Sequence, residues 1–236
     1  MNPLVSVVTV VYNGSAGIER TILSVLPHLD ASTEYVLLDG GSTDGTVDII
    51  RKYSKKITYW KSEPDNGIYD ALNKAALACK GHFIITINVG DVLLAVPHAE
   101  LKRAVQEKAD VAAFNVKLTG GSIFRPSIGP SLRFRNTIPH QGAFYRRTSQ
   151  WAYNLSYKIY ADFDLNQRLY KDGRKFMIFD KLVSYHALDG ASAHRKNFSE
   201  YYRIMEVNFG TMYCLIGRLY LNYSLFKHGL RRLISG

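Results

Sequence analysis

The sequence contains few cysteines and lacks the features of a secreted or fibrous protein. Cys79 and Cys214 are the two cysteines among 236 residues, which excludes a disulfide framework and indicates a reducing compartment. We expect both thiols to be buried. Repeats, low-complexity tracts and linkers are absent, and the first residues, MNPLVSVVTVVYNG, lack the basic region and cleavage site of a signal peptide. These absences predict a globular protein of the cytoplasm.

Acidic residues are also scarce relative to basic ones. Twenty Asp and Glu stand against thirty Lys and Arg, which gives a formal charge of +10 and favours nucleotides, nucleic acid or an anionic membrane surface as partners. Because the sequence lacks a recognised nucleic-acid-binding module, we expect no nucleic-acid partner. Hydrophobic residues make up 47% of the chain, which predicts a sizeable core.

The first half of the chain alternates strand-like and helix-like patterns. Apolar, β-branched stretches predict buried strands at 4–12, 34–38, 57–60 and 83–87. Apolar residues at helical spacing follow the first three strands; we expect Thr43 or Asp44 to cap the second helix and Gly81 to end the third. This alternation predicts an α/β fold with a mostly parallel central sheet and helices on both faces.

The second half has strand-like runs at 111–117, 142–145 and 176–185, separated by Gly/Pro/Ser loops. We expect these runs to extend the same sheet, with at least one antiparallel strand. In a parallel sheet the ligand crevice lies beyond the carboxyl ends of the strands. Polar residues that fall at this edge are Tyr12, Asn13, Asp39, Glu63, Asp65, Asn66 and Asp91.

Two aspartates lie shortly after predicted strands. Asp39, in LLDGGSTDGT, lies beside glycines that allow a backbone to approach a ligand closely, and its carboxylate could accept from a base N–H or a ribose hydroxyl; an ordinary strand-to-helix turn is the alternative. Asp91, in FIITINVGDVL, fits a turn, a helix N-cap or a ligand for a divalent cation that bridges two phosphates.

The stretch EPDNGIYDALNKA places Asp70 and Lys74 four residues apart on a predicted helix. An exposed ion pair is one interpretation, and a lysine beside a diphosphate is the other. The turn at 65–67 begins this helix, and its free N–H groups could face an anion.

The stretch YADFDLNQRLYKDG holds two acids with different helical neighbours. Asp164 has Arg168 four residues on, which predicts a solvated ion pair. Asp162 shares a face with Leu165 and Leu169, so it should point inward or into a cleft. A carboxylate in that position is an N-cap or a catalytic base, and we favour the base.

Two further segments carry polar residues near predicted strands. IPHQGAFYRR contains His140 and Gln141, which are structural residues or line an acceptor site. YHALDGASAHR, at 185–195, mixes His186, Asp189 and Gly190 with small residues, a composition that fits a lid or a plain surface loop.

The last segment, 207–236, has four Lys or Arg and no acids among many Tyr, Leu, Ile and Phe residues. Its charge-free runs are far shorter than the roughly 18 to 20 residues that span a bilayer. Helices lying on an anionic membrane are one interpretation. A helix pair packed on the domain or in a homodimer interface is the other.

Five stretches in order resemble the large family-2 glycosyltransferases with the GT-A fold: VSVVTVVYNG, YVLLDGGSTDGT, SEPDNGIYDALNKAALACKGHFIITINVGD, HQGAFYRR and ADFDL. The resemblance covers about residues 4–195. It implies a GT-A glycosyltransferase domain at 1–195, followed by a basic, aromatic-rich helical extension at 196–236.

The resemblance also implies roles for individual residues. Thr9, Tyr12 and Asp39 would hold the base and ribose of the nucleotide, and Asp70 and Lys74 would lie near the sugar diphosphate. Asp91 corresponds to the last acid of the metal-binding D-x-D motif, and Asp162 to the acid that deprotonates the acceptor. Asn88 stands where other members often have an acid and remains a nucleotide-sugar contact. Residues on the acceptor side would be His140, Gln141, Asp189 and Gly190.

The activity implied is an inverting transfer of a sugar from a nucleotide-diphosphate sugar, with a UDP-sugar favoured and Mn²⁺ or Mg²⁺ as cofactor. The expected acceptor is a lipid-linked glycan of bacterial surface polysaccharide synthesis, at the cytoplasmic face of the inner membrane. A non-catalytic nucleotide-binding or scaffold subunit of a glycan assembly complex is the alternative function.

Overall fold

A nine-stranded sheet forms the centre of the computed structural model, which describes residues 2–148, 152–187 and 197–220. The strands are β1 (Val5–Val11), β2 (Thr33–Asp39), β3 (Tyr59–Ser62), β4 (Phe83–Thr86), β5 (Val92–Leu93), β6 (Val111–Leu118), β7 (Ile123–Phe124), β8 (Ala143–Arg146) and β9 (Phe176–His186). The helices are α1 (Ser15–Val25), α2 (Thr46–Tyr53), α3 (Ile68–Ala78), α4 (His98–Gln106), α5 (Ala161–Lys171) and α6 (Phe198–Phe209). Residues 211–220 are also helical.

The first four strands confirm the predicted parallel half of the sheet. They lie in the order β3-β2-β1-β4, and all three pairings are parallel. Alternate residues of β1 enter different cores: Val8 packs in the cluster that contains Leu72 of α3, and Val7 packs in the cluster that contains Ile18 of α1. Helices therefore cover both faces, as the buried, β-branched sequence of β1 predicts.

The second half of the chain continues the same sheet with reversed strands. β8 lies between β4 and β6 and is antiparallel to both. β9 is parallel to β6, and the short β5 is antiparallel to the end of β9. The expectation of at least one antiparallel strand is confirmed. These pairings bring the start of β8 and the ends of β4 and β9 to one edge.

Two predicted helix boundaries were wrong. α2 begins after Gly45, which has a φ of +93°, so neither Thr43 nor Asp44 is its N-cap; Oδ1 of Asp44 instead accepts from the N–H of Thr46 at 3.1 Å. α3 ends at Ala78, before Gly81. An ideal Cβ at residue 81 would lie 2.5 Å from the backbone nitrogen of Ser6, so this glycine permits a close approach to β1.

The described part of the C-terminal segment packs into the same core as the sheet. Tyr201, Ile204 and Cys214 belong to the cluster that also contains Val8 and Leu72. Cys79 and Cys214 are both buried, as expected. Within the described ranges, no helix is long and apolar enough to cross a bilayer. The boundary at residue 195 stays a prediction.

Candidate active site

A cleft of about 710 Å³ lies beyond the carboxyl ends of β1 and β2. It is lined by Val10, Val11, Tyr12, Gly40, Gly41, Pro64, Asp65, Gly67, Ile68 and Ala71. Tyr12 is 66% exposed, so its side chain is accessible to a planar ligand in the cleft. An ideal Cβ on residue 40 would lie 2.4 Å from Oδ2 of Asp65; the glycine therefore lets the strand end approach the turn before α3.

The side chain of Asp39 holds the turn beside this cleft by hydrogen bonds. Its Oδ2 accepts from the N–H groups of Gly41 and Ser42, both at 3.0 Å, and from the hydroxyl of Ser62 at 2.6 Å. Its Oδ1 is buried and finds no donor among the described residues. Asp39 thus has the turn role that we considered, and it keeps an unused acceptor that a ligand could satisfy.

Thr9 lies away from the cleft, inside the core. Its side chain is fully buried; the hydroxyl donates to the carbonyl of Ile87 at 2.8 Å and accepts from the hydroxyl of Tyr35 at 3.0 Å. Both functions of the hydroxyl are therefore satisfied within the protein. The position of Thr9 gives no support to a contact with the base or ribose.

Asp70 and Lys74 form the ion pair predicted from their spacing. Nζ of Lys74 lies 3.0 Å from Oδ2 of Asp70, and it also donates to the carbonyl of Pro64 at 3.4 Å, beside the cleft. Asp70 accepts from the N–H of Asn66 as well, at 2.9 Å. The Asn66 hydrogen bond, followed by the Lys74 ammonium, lowers the pKa of Asp70, so this acid remains charged.

Asp91 is buried and every donor around it comes from another segment. Its Oδ1 accepts from Nδ1 of His186 at 2.8 Å and from the N–H of Ala187 at 3.0 Å, and its Oδ2 accepts from Nε2 of Gln141 at 3.3 Å. The pairing of β5 with β9 explains the contact with His186, because Val92 lies opposite Tyr185. Among the described residues, no group of three or more His, Cys, Asp or Glu side chains is arranged to hold a metal ion by itself.

The turn at 88–91 is held by α1. The hydroxyl of Thr21 donates to the carbonyl of Asp91 and accepts from the N–H of Gly90, both at 3.0 Å, and Gly90 has a φ of +90°. Nδ2 of Asn88 lies 3.0 Å from Nε2 of His140. Oδ1 of Asn88 is buried with no donor among the described residues.

Asp162 lies in the first turn of α5, which begins after Tyr160 and has no side-chain cap. The N-cap interpretation was therefore wrong. Oδ2 of Asp162 accepts from Nδ2 of Asn136 at 3.0 Å and from Nδ1 of His140 at 3.3 Å. The Asp162 side chain retains 13% exposure, so the carboxylate faces a polar, partly open site, as the helical pattern predicts.

The prediction for Asp164 was half right. It pairs with Nε of Arg168 at 2.8 Å, yet it is buried and not solvated. α6 covers this part of α5, and Nδ2 of Asn208 donates to Oδ1 of Asp164 at 3.1 Å. Asp164 is thus a structural residue of the helix interface.

His140 and Gln141, adjacent in one turn, contact the two site carboxylates. Burial by itself lowers the pKa of His140, but the hydrogen bond to Asp162 and the negative charges of Asp162 and Asp91 outweigh it, so the pKa of His140 is raised. The turn precedes β8, and the antiparallel pairing of β8 with β4 places it beside Asn88 and Asp91.

The structure adds residues that sequence patterns did not single out for these roles. Asn136 and Tyr69 contact Asp162, and His186 is the last residue of β9, not part of a loop. A signal for His186 was its position directly after the strand-like run at 176–185. Asp189 and Gly190 lie outside the described residues.

Comparison with known proteins places the chain among glycosyltransferases. The model of Glycosyl transferase family 2 matches residues 6–183. A PGL/p-HBAD biosynthesis glycosyltransferase of Mycobacterium bovis BCG is 28% identical over 184 residues, which cover 72% of this chain and 71% of the relative.

Two solved structures share the fold, each over 86% of this chain. TarS of S. aureus in complex with UDP-GlcNAc matches with a TM-score of 0.67 and 19% identity, over 66% of its chain. The mannosyltransferase PcManGT of Pyrobaculum calidifontis in complex with GDP-Man and Mn²⁺ matches with a TM-score of 0.63 and 16% identity, over 64% of its chain. The chain thus spans about two thirds of the length of these solved chains and of other curated relatives.

We expect the imidazole of His140 to titrate above its ordinary pKa of about 6.5. Asp162→Asn removes the charge and the main acceptor of its Nδ1–H, so the pKa should fall in that variant. The His140 link contributes stability that is present below about pH 6.5 and is lost as the pH rises through the raised pKa. NMR titration of ring-labelled histidine measures both values; equal values in the two proteins would contradict the link.

Proposed function

The chain belongs to glycosyl transferase family 2, and on that premise we propose that it transfers a sugar from a nucleotide-diphosphate sugar to a glycan hydroxyl, with inversion at the anomeric carbon. One observation carries the proposal: Asp91 and Asp162 meet at one edge of the sheet, linked by His140 and Gln141. An inverting displacement needs a base on one side of the anomeric carbon and stabilisation of the leaving diphosphate on the other.

The cleft beside β1 and β2 supports a nucleotide in the donor site. The exposed side chain of Tyr12 suits stacking on a base. Oδ1 of Asp39, which has no donor among the described residues, suits a base N–H or a ribose hydroxyl. Lys74, which lies beside Pro64 at the cleft, would approach the diphosphate together with Asp70. We favour a UDP-sugar as the donor, and we do not include Thr9.

The residues around Asp91 fit a divalent cation held jointly with substrate. Asp91 supplies a carboxylate and His186 an imidazole, and Asn88 has a buried amide oxygen without a donor among the described residues. Mg²⁺ is commonly bound through one or two carboxylates plus substrate phosphates, and imidazole also suits transition metals. When bound, Mn²⁺ or Mg²⁺ would neutralise charge on the leaving diphosphate.

Asp162 is the base in this proposal. The acceptor O–H bond breaks and its proton passes to Asp162, while the acceptor oxygen forms the new bond to the anomeric carbon. The bond from that carbon to the diphosphate breaks, and the nucleoside diphosphate leaves with the electron pair. The side chains of Asp162 and His140 are 13% and 23% exposed, which limits the access of bulk water to the base.

The acceptor we propose is a lipid-linked glycan, presented at a membrane surface. Four apolar side chains at helical spacing lie on the outer face of 211–220 with 41% to 72% exposure: Met212, Leu215, Ile216 and Leu219. The opposite face, with Cys214 and Gly217, packs on the domain. Basic residues without acids in 207–236 would favour an anionic membrane. The cytoplasmic location stays a prediction.

Asp162→Asn should lower the release of nucleoside diphosphate from the preferred nucleotide sugar by roughly 10²- to 10⁴-fold, because an amide cannot accept the acceptor proton. Binding of the nucleotide sugar should persist. Steady-state rates and calorimetric titration measure the two effects. Asp172→Asn, at the exposed end of α5, is the matched control and should keep full activity. Full turnover by Asp162→Asn would remove it as the base.

A thermal-shift screen of UDP-, GDP- and dTDP-sugars, with and without Mn²⁺, tests the donor site. We expect a UDP-sugar to raise the melting temperature by mass action, and Mn²⁺ to enlarge the shift. Asp91→Asn and His186→Ala should each remove the part that depends on Mn²⁺ while the rest remains. A shift that is the same with and without Mn²⁺ in the wild type would contradict Asp91 as a ligand.

Membrane contact is tested by flotation with vesicles that contain anionic phospholipid. The wild type should bind, and Leu215→Glu/Leu219→Glu should lose most of the bound fraction, because two charges replace apolar side chains that would contact the bilayer. Leu77→Glu is the control, since Leu77 is 89% exposed on α3. Absence of vesicle binding, together with a dimer that the double variant dissociates, would support a subunit interface instead.

A further inference from the structure

The two oxygens of Asp162 have unequal surroundings. Oδ2 accepts from Nδ2 of Asn136 at 3.0 Å and from Nδ1 of His140 at 3.3 Å. Oδ1 is approached by the hydroxyl of Tyr69 at 3.5 Å, the limit of a hydrogen bond. That hydroxyl has one proton, which it donates to the carbonyl of Ile159 at 2.7 Å. Among the described residues, Oδ1 therefore has no other donor and keeps lone pairs available.

The direction of the hydrogen bond from Asn136 follows from a buried relay. The hydroxyl of Tyr145 donates to Oδ1 of Asn166 at 2.8 Å, because an amide oxygen only accepts, and Nδ2 of Asn166 is left to donate elsewhere. Nδ2 of Asn166 does so, to Oδ1 of Asn136 and to the carbonyl of Ile138, both at 3.1 Å. With its own Oδ1 occupied as an acceptor, Asn136 must present Nδ2 to Asp162.

The relay also ties the position of Asn136 to the helix that carries Asp162. Asn166 lies one turn after Asp162 on α5 and is fully buried. The backbone N–H of Asn136 donates to the hydroxyl of Tyr201 at 2.9 Å, which anchors the same segment to α6. Asn136 is thereby held from both sides at a fixed place relative to the carboxylate.

His140 is the second residue that holds Oδ2 of Asp162. A carboxylate accepts and does not donate, so Nδ1 carries the proton toward Asp162. Nε2 of the same ring lies 3.0 Å from Nδ2 of Asn88, which fixes the ring plane. The two donors on Oδ2 thus lie four residues apart in the loop before β8, and each is contacted by a side-chain amide, that of Asn166 for Asn136 and that of Asn88 for His140.

We propose that Asn136 and His140 are positioning residues that hold Oδ2 of Asp162 and so reserve Oδ1 as the oxygen that takes the acceptor proton. The inference rests on the proposed glycosyl transfer. The proton of the acceptor hydroxyl passes to Oδ1, the acceptor oxygen bonds to the anomeric carbon, and the nucleoside diphosphate departs with the electron pair of the broken bond. Asn136 and His140 exchange no proton in this step.

The groups that face Asp162 allow a pH profile to report on it. The charge of Asp162 acts on five tyrosines, and burial is the main cause that raises the pKa of each: Tyr69, Tyr145, Tyr153, Tyr160 and Tyr201. These phenols stay neutral below pH 9. Glu200 accepts from the N–H groups of Lys158, Ile159 and Tyr160. His140, whose pKa is raised mainly by its hydrogen bond to Asp162, is then the neighbour of Asp162 that changes charge near neutral pH.

Asn136→Ala is the decisive variant, measured through nucleoside diphosphate release from UDP-GlcNAc and other UDP-, GDP- and dTDP-sugars, with water as acceptor. We expect kcat to fall roughly tenfold or more with the donor KM unchanged, because a donor to a charged group is lost at the base alone. The acidic limb of the pH–rate profile should move to higher pH, since a carboxylate that loses a donor holds its proton more tightly.

Asn208→Ala is the matched control. Asn208 is also buried and its Nδ2 donates twice, to Asp164 and Gln167, away from Asp162. It should lower the melting temperature to a similar extent while kcat and the pH limb stay in place. Asn136→Asp, which replaces the donor by a second carboxylate, should lower kcat further than Asn136→Ala.

The possible results distinguish failure of the positioning roles from failure of the proposed glycosyl transfer. A wild type that releases nucleoside diphosphate while Asn136→Ala keeps its kcat and pH limb overturns the positioning roles and leaves the proposed transfer intact. An Asn208→Ala variant that moves the pH limb as Asn136→Ala does would also overturn them, because the effect would then be one of stability. A wild type with no release from any nucleotide sugar overturns the proposed function itself.

Discussion

The site depends on the direction of one strand. β8 is inserted between β4 and β6 and runs antiparallel to both, so the turn that precedes it reaches the same edge as the carboxyl end of β4. His140 and Gln141 occupy that turn and contact Asp162 and Asp91. Had β8 been parallel to β4, the turn would lie at the opposite edge, and neither carboxylate would accept a hydrogen bond from it.

Burying a carboxylate costs free energy unless hydrogen-bond donors surround it. The three aspartates of the site differ in how many donors each oxygen has. Asp91 has a donor on each oxygen, from the side chains of Gln141 and His186 and the backbone of Ala187. Asp39 and Asp162 each have one oxygen with two or more donors and another with a weak contact or none among the described residues. At Asp39 and Asp162 the oxygen with several donors fixes the geometry, and the other oxygen is the atom for which we propose contact with substrate. Asp91 is proposed as a metal ligand, and both of its oxygens already accept hydrogen bonds.

Much of the fold and part of the site could be predicted from local patterns. The alternation of apolar strands and amphipathic helices indicated the parallel half, and the face shared with Leu165 indicated that Asp162 points into a polar site. Asp164 was misplaced because its solvation depends on α6, which begins more than 30 residues later and covers it. Gly81 looked like a helix cap because a local pattern cannot show that β1 lies too close to residue 81 for a Cβ atom to fit.

The sequence by itself determined the element types, the edge at which the polar residues collect and the family that its motifs resemble, because these follow from spacings of a few residues and from short stretches in order. The tertiary structure alone decided which side chains meet. Asn136 and His186 join their carboxylates across 26 and 95 positions of the chain. Such contacts arise from strand order and strand direction, which no local period encodes, so the partners of Asp91 and Asp162 became visible only once the sheet had been assembled.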